Sequence, residues 1–512
     1  MRNLKKILAL ALALVMTLSL MTVANAFNDD KDIDAKYDEA VTVLSELKVF
    51  KGVNDGSNFA PKQTITRAEV AAIIYRIVTG DVADNQAGIY KDYAKFKDVA
   101  ANHWAAGYIG YCSNAELIVG DGTNFYPDQT VNGYQALAMI LRAMGYDAND
   151  EFKGEGWEIR VASTAQQRNL LVNINAGTLG TGASREMVAE ILFQAITKNT
   201  VVYTPALGYY TSDLIDGVAT ESLGYKTFGL KQQVGEITAV GRAAGTTTLG
   251  SWKTTGTSFW AREVFGNDIT VTNTNTPWTN IGYQAYVWTV PTSGAKTVAA
   301  VSDVTVTGKS VAVNTAETTT KTIAPLVSTG AAQIATLDDH YNVYYNGMLL
   351  PGTQPTNGGY WFDQSKMILK YYDKSTETNV EVVNGLKVDF VDNDNGGKAE
   401  AIVFTEYTVA SVAGIANENN TGSNAIVRDT YYFTPLSKGN VSRVAVKAAN
   451  LVTTDTLAVN NLVTYVQYAG DTYVTLAPVT TGAFTQINYS TITRMEESYV
   501  IGGTTYVAAN VD

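Results

Sequence analysis

The residues best placed by type and spacing to hold an ion lie far along the chain. Asp392-Asn393-Asp394-Asn395-Gly396-Gly397-Lys398-Ala399-Glu400 joins two strand-like runs. Closely spaced carboxylates and amides on a glycine turn suit a hard cation, so Asp392, Asp394 and Glu400 are the candidate ligands of a Ca2+ ion. No other cofactor is indicated. Gly396 brings no side-chain oxygen where a third is usual, and Glu400 comes early for a far-end bidentate ligand. The same residues also make an ordinary polar hairpin turn, because Asn, Asp and Gly are what turns require.

Most other chemistry is excluded by counting. The 512-residue chain has one Cys and two His, His103 and His340. An intrachain disulfide is impossible, and a His-rich zinc site or multi-histidine catalysis is nearly so. Cys112 falls on an apolar helix face, where a small buried hydrophobe explains it. There is no Gly-x-Ser-x-Gly elbow, no His-Glu-x-x-His and no phosphate-binding glycine loop. A glycosidase needs two positioned carboxylates, which a sequence does not display. The chain is read as non-enzymatic. Its net charge of −12 argues against a nucleic-acid partner. A hydrophobic fraction of 46% is enough to build cores, and the length predicts several domains.

The first segment reads as an address. Arg2, Lys5 and Lys6 precede an apolar run from Ile7 to about Val23, and Ala24-Asn25-Ala26 gives the small-x-small cleavage pattern. Residues 1–26 are therefore expected to be a secretory signal peptide. Its removal takes the net charge from −12 to −15, because three basic residues leave and no acidic ones. No later apolar run is long enough to span a bilayer.

From about Phe27 to Val202 the pattern is helical and repeats. Thr66-Arg67-Ala68-Glu69 reads as a capping box: the Thr66 hydroxyl and the Glu69 carboxylate satisfy free backbone N–H groups at a helix start. Val70, Ile73, Ile74 and Ile77 then define one apolar face. A glycine-rich loop, Gly52 to Pro61, comes before this box. Gly120 to Pro127 precedes a second, capped by Asn132 with Gln135 at N3. A third, weaker copy has Trp157 heading its first helix and Ser184-Arg185 starting its second, without the Asp-Gly turn. Helix–loop–helix units are expected at 27–85, 90–147 and 150–203. Each is too small to bury its own face well, so the copies should pack around a shared core.

Together, Phe96-x-Asp98-Val99, Trp104-Ala105, Gly120-x-Gly122-x-x-Phe125-x-Pro127 and Ile65-Thr66-Arg67-Ala68-Glu69 resemble the S-layer homology domain family. The resemblance covers residues 27 to about 200. A signal peptide followed by three such copies is similar to the N-terminal anchor of bacterial surface-layer and related cell-envelope proteins. The fold it implies is an all-α pseudo-trimer, three helix–loop–helix prongs around a helical bundle. The partner it implies is an anionic secondary cell-wall polysaccharide, often pyruvylated, bound in grooves between prongs.

Arg67 and Arg185 are the residues to grip such an anion, because a guanidinium engages a carboxylate through two parallel hydrogen bonds. Trp104 and Trp157 offer flat faces for a sugar ring. Thr66, Glu69 and Ser184 cap the helices and aim the arginines. Without the family context, Arg67 reads as a helix-start residue bonded within its own prong. The copies also depart from the family: copy one has Lys36-Tyr37 for Trp-Ala, copy two has Asn132-Gly133-Tyr134-Gln135 and so lacks the arginine, and copy three has Met187 at the Glu position.

From about Leu230 the texture changes to alternating Thr, Val and Tyr runs, such as Lys387 to Val391 and Thr464 to Tyr468, punctuated by Asn346-Gly347, Asn384-Gly385 and Gly502-Gly503. Residues 204–229 read as a linker or docking segment. Two or more all-β modules of β-sandwich or small-barrel type are expected beyond it, at 230–410 and 411–512. The expected function is structural: a secreted surface-layer protein, anchored through the helical repeats and self-associating into a lattice through its β part. The alternatives are an anchored carbohydrate-binding adhesin, using Trp252, Trp260, Trp278 or Trp288 if exposed, or a polysaccharide-degrading enzyme.

Overall fold

The computed structural model describes residues 27–507 apart from 54, 213, 216–217, 220–221, 242–243, 251, 254–262, 265–267, 293–296, 311–336, 364–367, 382–385, 420–425, 437–442, 469–470, 477–492, 496–497 and 502–503. The signal segment 1–26, Trp260 and the Asn384-Gly385 and Gly502-Gly503 pairs lie outside the described residues, as do the side chains of Trp252 and His340.

Three helix pairs form the N-terminal region. They are α1 (Asp38–Glu46) with α2 (Arg67–Thr79), α3 (Ala106–Asn114) with α4 (Gly133–Ala143), and α5 (Trp157–Gln167) with α6 (Arg185–Ile196). The second helix of each pair starts where the sequence places a cap. Both capping boxes are complete, Thr66 with Glu69 and Asn132 with Gln135, while the Ser184 hydroxyl accepts from Met187 N.

The residues just before these caps bond to one another. Ile65 N donates to Ala183 O (3.0 Å), Ala183 N to Val131 O (2.8 Å) and Val131 N to Ile65 O (3.0 Å), closing a ring. All three side chains are buried. One continuous core then fills the space between the pairs, with Leu44, Ile74, Ile109, Leu137, Val161 and Leu192 among its members. No unit closes a core alone; each completes its neighbours.

The described residues between 201 and 230 dock onto this bundle. The hairpin β1 (Val201–Thr204) and β2 (Tyr209–Ser212) is followed by α7 (Leu223–Phe228), whose Leu223 and Phe228 join the helical core. The next strands close into a barrel: β3 (Lys231–Gly241), β4 (Thr246–Gly250), β5 (Ile269–Thr272), β6 (Gln284–Pro291) and β7 (Thr297–Ala300). Pairings β3–β4, β4–β5, β5–β7, β7–β6 and β6–β3 complete the circuit, parallel at β5–β7 and antiparallel elsewhere. Closure leaves the barrel no unpaired edge.

The barrel is seated on the helices. Val290, Ala299 and Val301 belong to the helical core, and the Trp288 ring meets Phe193 edge-on at 5.4 Å. Trp288 Nε1 donates to Glu39 Oε1 (3.0 Å). Trp288 is thus committed to packing, and Trp278 is largely buried too, so neither ring stands exposed on the surface.

The seat carries a pH signature. Burial raises the Glu39 carboxyl against hydrogen bonds from Tyr286 and Trp288, with Asp38 adding to the rise. Burial likewise raises Glu190, with Gln194 and Asn173 opposing, Glu39 adding and Lys36 opposing. Acids with raised pKa take up protons more readily folded than unfolded, so stability rises as pH falls through the raised values. Asp84 does not cancel this. Burial pushes its carboxyl up, but hydrogen bonds from Arg76 and Lys51 pull harder and hold it below 3.8, so its contribution is lost only at lower pH. The thermal midpoint is expected to rise from neutral pH towards the ordinary glutamate value of 4.5, and Glu39→Gln should flatten that slope. A midpoint that falls over this range, or a slope unchanged in the variant, would contradict the assignment.

Two further sheets pack against the barrel. The central one runs β8 (Lys309–Ser310), β12 (Leu386–Asp392), β13 (Ala399–Glu406), β9 (Leu337–Tyr345) and β10 (Met348–Leu349), with β11 (Ile368–Asp373) in a separate three-stranded sheet beside it. Asn346 and Gly347 both take positive φ, 42° and 76°, in the hairpin turn between β9 and β10 that their sequence signals. The last large sheet opens at Thr408 and includes β14 (Thr408–Asn419) and β15 (Leu462–Tyr468). Ile237 and Val287 of the barrel share a core with Tyr344, Val391 and Val403 of the central sheet and Val466 and Tyr468 of the last. At that junction Glu236 is fully buried and accepts from Asn342 Nδ2 (3.0 Å), Asn393 Nδ2 (3.2 Å) and the Tyr344 hydroxyl. A buried carboxylate is tolerable when so many donors meet it.

Candidate functional site

The capping motifs of the first and third units each send an arginine out of their own unit and into a neighbouring one. Arg67 Nε donates to Phe125 O (2.6 Å) and Nη2 to Val119 O (2.8 Å), while the guanidinium lies 4.4 Å from the centre of the Phe125 ring. These acceptors belong to the glycine loop of the second unit. Arg185 repeats the contact in the loop of the first unit, with Nε on Phe59 O (2.8 Å) and Nη2 on Lys51 O (2.8 Å). Phe59 and Phe50 flank it at 5.2 and 5.6 Å.

The two differ at the outer edge. Arg185 is 4% exposed, and its Nη1 donates to Glu69 Oε1 (3.2 Å), so all three nitrogens are engaged. Glu69 therefore does two jobs. Its Oε2 closes the capping box on Thr66 N (2.7 Å), and its Oε1 bridges units three and one. Arg67 is only partly buried, and its Nη1 makes no hydrogen bond among the described residues. Burial pulls its pKa down, Asp98 opposes this, and Arg142 adds to it. An arginine nonetheless stays charged.

The third interface has neither partner. Gly133 stands where the arginine would be, and Tyr134 N donates to Leu179 O (3.3 Å) of the third unit. The lost arginine of copy two and the lost glycine loop of copy three, two separate departures in the sequence, are one gap in space.

Trp104 is 57% exposed, with ring centroids of His103 and Tyr108 at 5.9 and 6.2 Å. His103 Nε2 lies 3.6 Å from Asp128, next to Pro127, whose carbonyl accepts from Ala68 N (2.9 Å). These contacts tie the Trp104 turn to the segment on which Arg67 docks. Trp157, the first residue of α5, packs partly buried against the core. In the first unit Lys36-Tyr37 stands for the Trp104-Ala105 pair, and Tyr37 is buried, its hydroxyl donating to Asn173 O (3.4 Å).

Asp98 and Asp29 were not singled out as site residues by sequence. Asp98 accepts from Phe125 N (2.9 Å) and Tyr126 N (2.7 Å), and Asp29 from Phe59 N (2.8 Å) and Ala60 N (2.7 Å). Each carboxylate fixes the loop that receives an arginine. The signal was present: Phe27-Asn28-Asp29 repeats the Phe96-x-Asp98 pattern.

Comparison with known proteins agrees with this geometry. Residues 26–71 and 95–137 match the S-layer homology domain model. The chain carries S-layer homology domains. Both matches span the capping motifs and fall on the first two helix pairs. The chain is 33% identical over 227 residues to a cell surface protein of Thermoanaerobacter kivui, which covers 43% of this chain and 28% of that protein. It is 28% identical over 175 residues to a surface layer protein of Brevibacillus choshinensis (33% and 15%). It is also 31% identical over 129 residues to an amylopullulanase of Thermoanaerobacterium thermosulfurigenes (25% and 6%). The chain thus spans less than a third of the length of these relatives. With its S-layer homology domains, it is a secreted, cell-wall-associated protein. No helix among the described residues is long and apolar enough to cross a membrane.

Far from the S-layer homology units, the Asp392, Asp394 and Glu400 carboxylates converge, with one oxygen from each within 4.8 Å of the others. Asp392 accepts from Gly396 N (3.1 Å) and Gly397 N (2.9 Å), and Glu400 from Asn393 N (2.6 Å). The turn's own amides already engage Asp392 and Glu400, while Asp394 is exposed and accepts from Gly396 N (2.7 Å).

Proposed function

We propose that this is a structural, non-enzymatic surface-layer protein. Its S-layer homology units bind an anionic secondary cell-wall polysaccharide, and its β part associates with other copies into a lattice. The observation that carries the binding half is the open Nη1 edge of Arg67 in the same interface as the exposed Trp104. A carboxylate on a sugar could take that edge while the ring lies on the indole. Arg185 offers an anion nothing unless Glu69 gives way, so the interface between units one and two is the stronger candidate. The interface between units two and three lacks the arginine altogether. The closed barrel and the shared β core suit a stiff building block, as lattice packing requires.

The test is sedimentation of the mature chain with purified cell walls, before and after the secondary polymer is stripped. Binding is expected to disappear with the polymer. A charge-assisted hydrogen bond is worth about 1.5–3 kcal/mol, so Arg67→Ala should weaken binding by about 10- to 100-fold. Trp104→Ala should weaken it with no loss of stability, because the ring is largely exposed. Binding that survives stripping would sink the polysaccharide assignment, and undiminished binding by Arg67→Ala would remove Arg67 from the site. Two-dimensional arrays seen by electron microscopy at high protein concentration would support the lattice half; a strictly monomeric chain would oppose it.

A further inference from the structure

The junction of barrel and central sheet encloses a cleft of about 280 Å3, remote from the helical units. Among its lining residues are three aromatic side chains, Trp278, Tyr283 and Tyr407, and four polar ones, Thr279, Asn280, Asp389 and Thr405. Each has a structural reason to be there. Trp278 forms a floor, held from behind by Tyr468, whose ring centroid is 5.9 Å away at 23° to the indole, and by Tyr473 at 5.1 Å. Asp389 and Val403 are direct cross-strand partners in the central sheet, and Thr405 lies two residues on from Val403, on the same face. Tyr407 sits at the mouth, 38% exposed.

Thr405 points to a ligand. It is 5% exposed and lines the cleft, yet its hydroxyl makes no hydrogen bond among the described residues. That hydroxyl is open to the cleft, so its partner there is water or a hydroxyl group of a ligand. The chemistry of the lining narrows that partner. None of the lining residues is basic, which disfavours an anion. Aromatic faces with a carboxylate, an amide and a hydroxyl match a ring with an apolar face and a rim of hydroxyl groups. The volume admits one such ring rather than a larger ligand.

We propose that this cleft is a saccharide-binding subsite for a single neutral sugar ring, with Thr405 and Asp389 bonding its hydroxyls and Tyr407 covering it. The subsite is independent of wall anchoring, because it lies on other elements and its ligand is neutral rather than anionic. A lone sugar ring in such a site binds with Kd of about 1 mM.

The experiment titrates the full mature chain with glucose, galactose, mannose and N-acetylglucosamine in turn, followed by saturation-transfer NMR and calorimetry. At least one sugar is expected to bind at that level. Thr405→Val, which keeps the shape and removes the hydroxyl, and Tyr407→Ala, which opens the mouth, should each weaken binding by about tenfold or more. Their melting curves should match the parent's to show intact folding. No binding by any of the four sugars overturns the proposal. So does binding that both variants retain, which would place the sugar elsewhere on the chain. Should Thr405→Val unfold, Tyr407→Ala and Asp389→Asn give the same decision.

Discussion

Replacing Arg185 with Ala is expected to lower the stability of the helical region by about 3–5 kcal/mol. The side chain is 4% exposed and holds three acceptors at once. Truncation leaves the carbonyls of Phe59 and Lys51 without their donor and Glu69 without its cation. A stranded buried acceptor costs about 1–3 kcal/mol, and breaking a buried ion pair has a similar or larger cost. The void between the Phe50 and Phe59 rings adds to the loss. Lysine should rescue little, because a single ammonium cannot reproduce a planar fork between two carbonyls and a carboxylate. Arg67→Ala removes two carbonyl contacts and the stacking on Phe125 from a less buried site with no ion pair, so it should cost less. Urea unfolding of the full chain, read on the helical signal by circular dichroism, measures both. An Arg185→Ala loss below about 1 kcal/mol would show that the guanidinium is not a structural clamp. The comparison also protects the binding experiment, since a wall-binding defect in Arg185→Ala follows from misfolding before it speaks of ligand contact.

Gly133→Arg, which restores the repeat motif in the second unit, should destabilise the chain rather than improve it. Repeat consensus alone predicts a gain, since the other two units keep the arginine. The structure predicts the reverse. A Cβ at Gly133 would stand 2.7 Å from Leu179 Cδ2, 2.9 Å from Leu179 Cα and 3.1 Å from Leu179 O. Leu179 is fully buried, and its backbone is tied to Tyr134, so it cannot step aside cheaply. Overpacking of this kind costs about 1–3 kcal/mol, and Gly133→Ala should already show it. The arginine then meets a third unit without the glycine loop whose carbonyls receive Arg67 and Arg185, so its charge is buried unpaired at further cost. The expected total for Gly133→Arg is at least about 3 kcal/mol. Thermal melts of both variants decide it. A neutral or stabilised Gly133→Arg would mean that the third unit can still form a receiving loop.

These two results separate what is local from what is not. Thr66, Asn132 and Ser184 mark their helix starts in the sequence because capping is settled within four residues, by a side chain and the backbone N–H groups beside it. The apolar faces of the helices are legible for the same reason: period alone sets which residues turn inward. The turn at Asn346-Gly347 follows from backbone conformations that few residue types tolerate.

What the neighbour supplies is not written beside the residue that uses it. Arg67 and Arg185 look alike in the sequence, yet one keeps an open edge and the other is closed by Glu69, 116 positions away. Glu236 sits in the barrel strand β3. It is buried on all sides because the central sheet covers the barrel there and brings Asn342, Tyr344 and Asn393 as donors. Closure of the barrel depends on the parallel pairing of β5 with β7, which no turn between them imposes. The sequence by itself determined the helical repeat and its caps and the change to strands near Leu230, all short-range patterns. The tertiary structure decided which arginine is free, which interface is vacant and where the buried carboxylate finds its donors, because those depend on groups that only packing brings together.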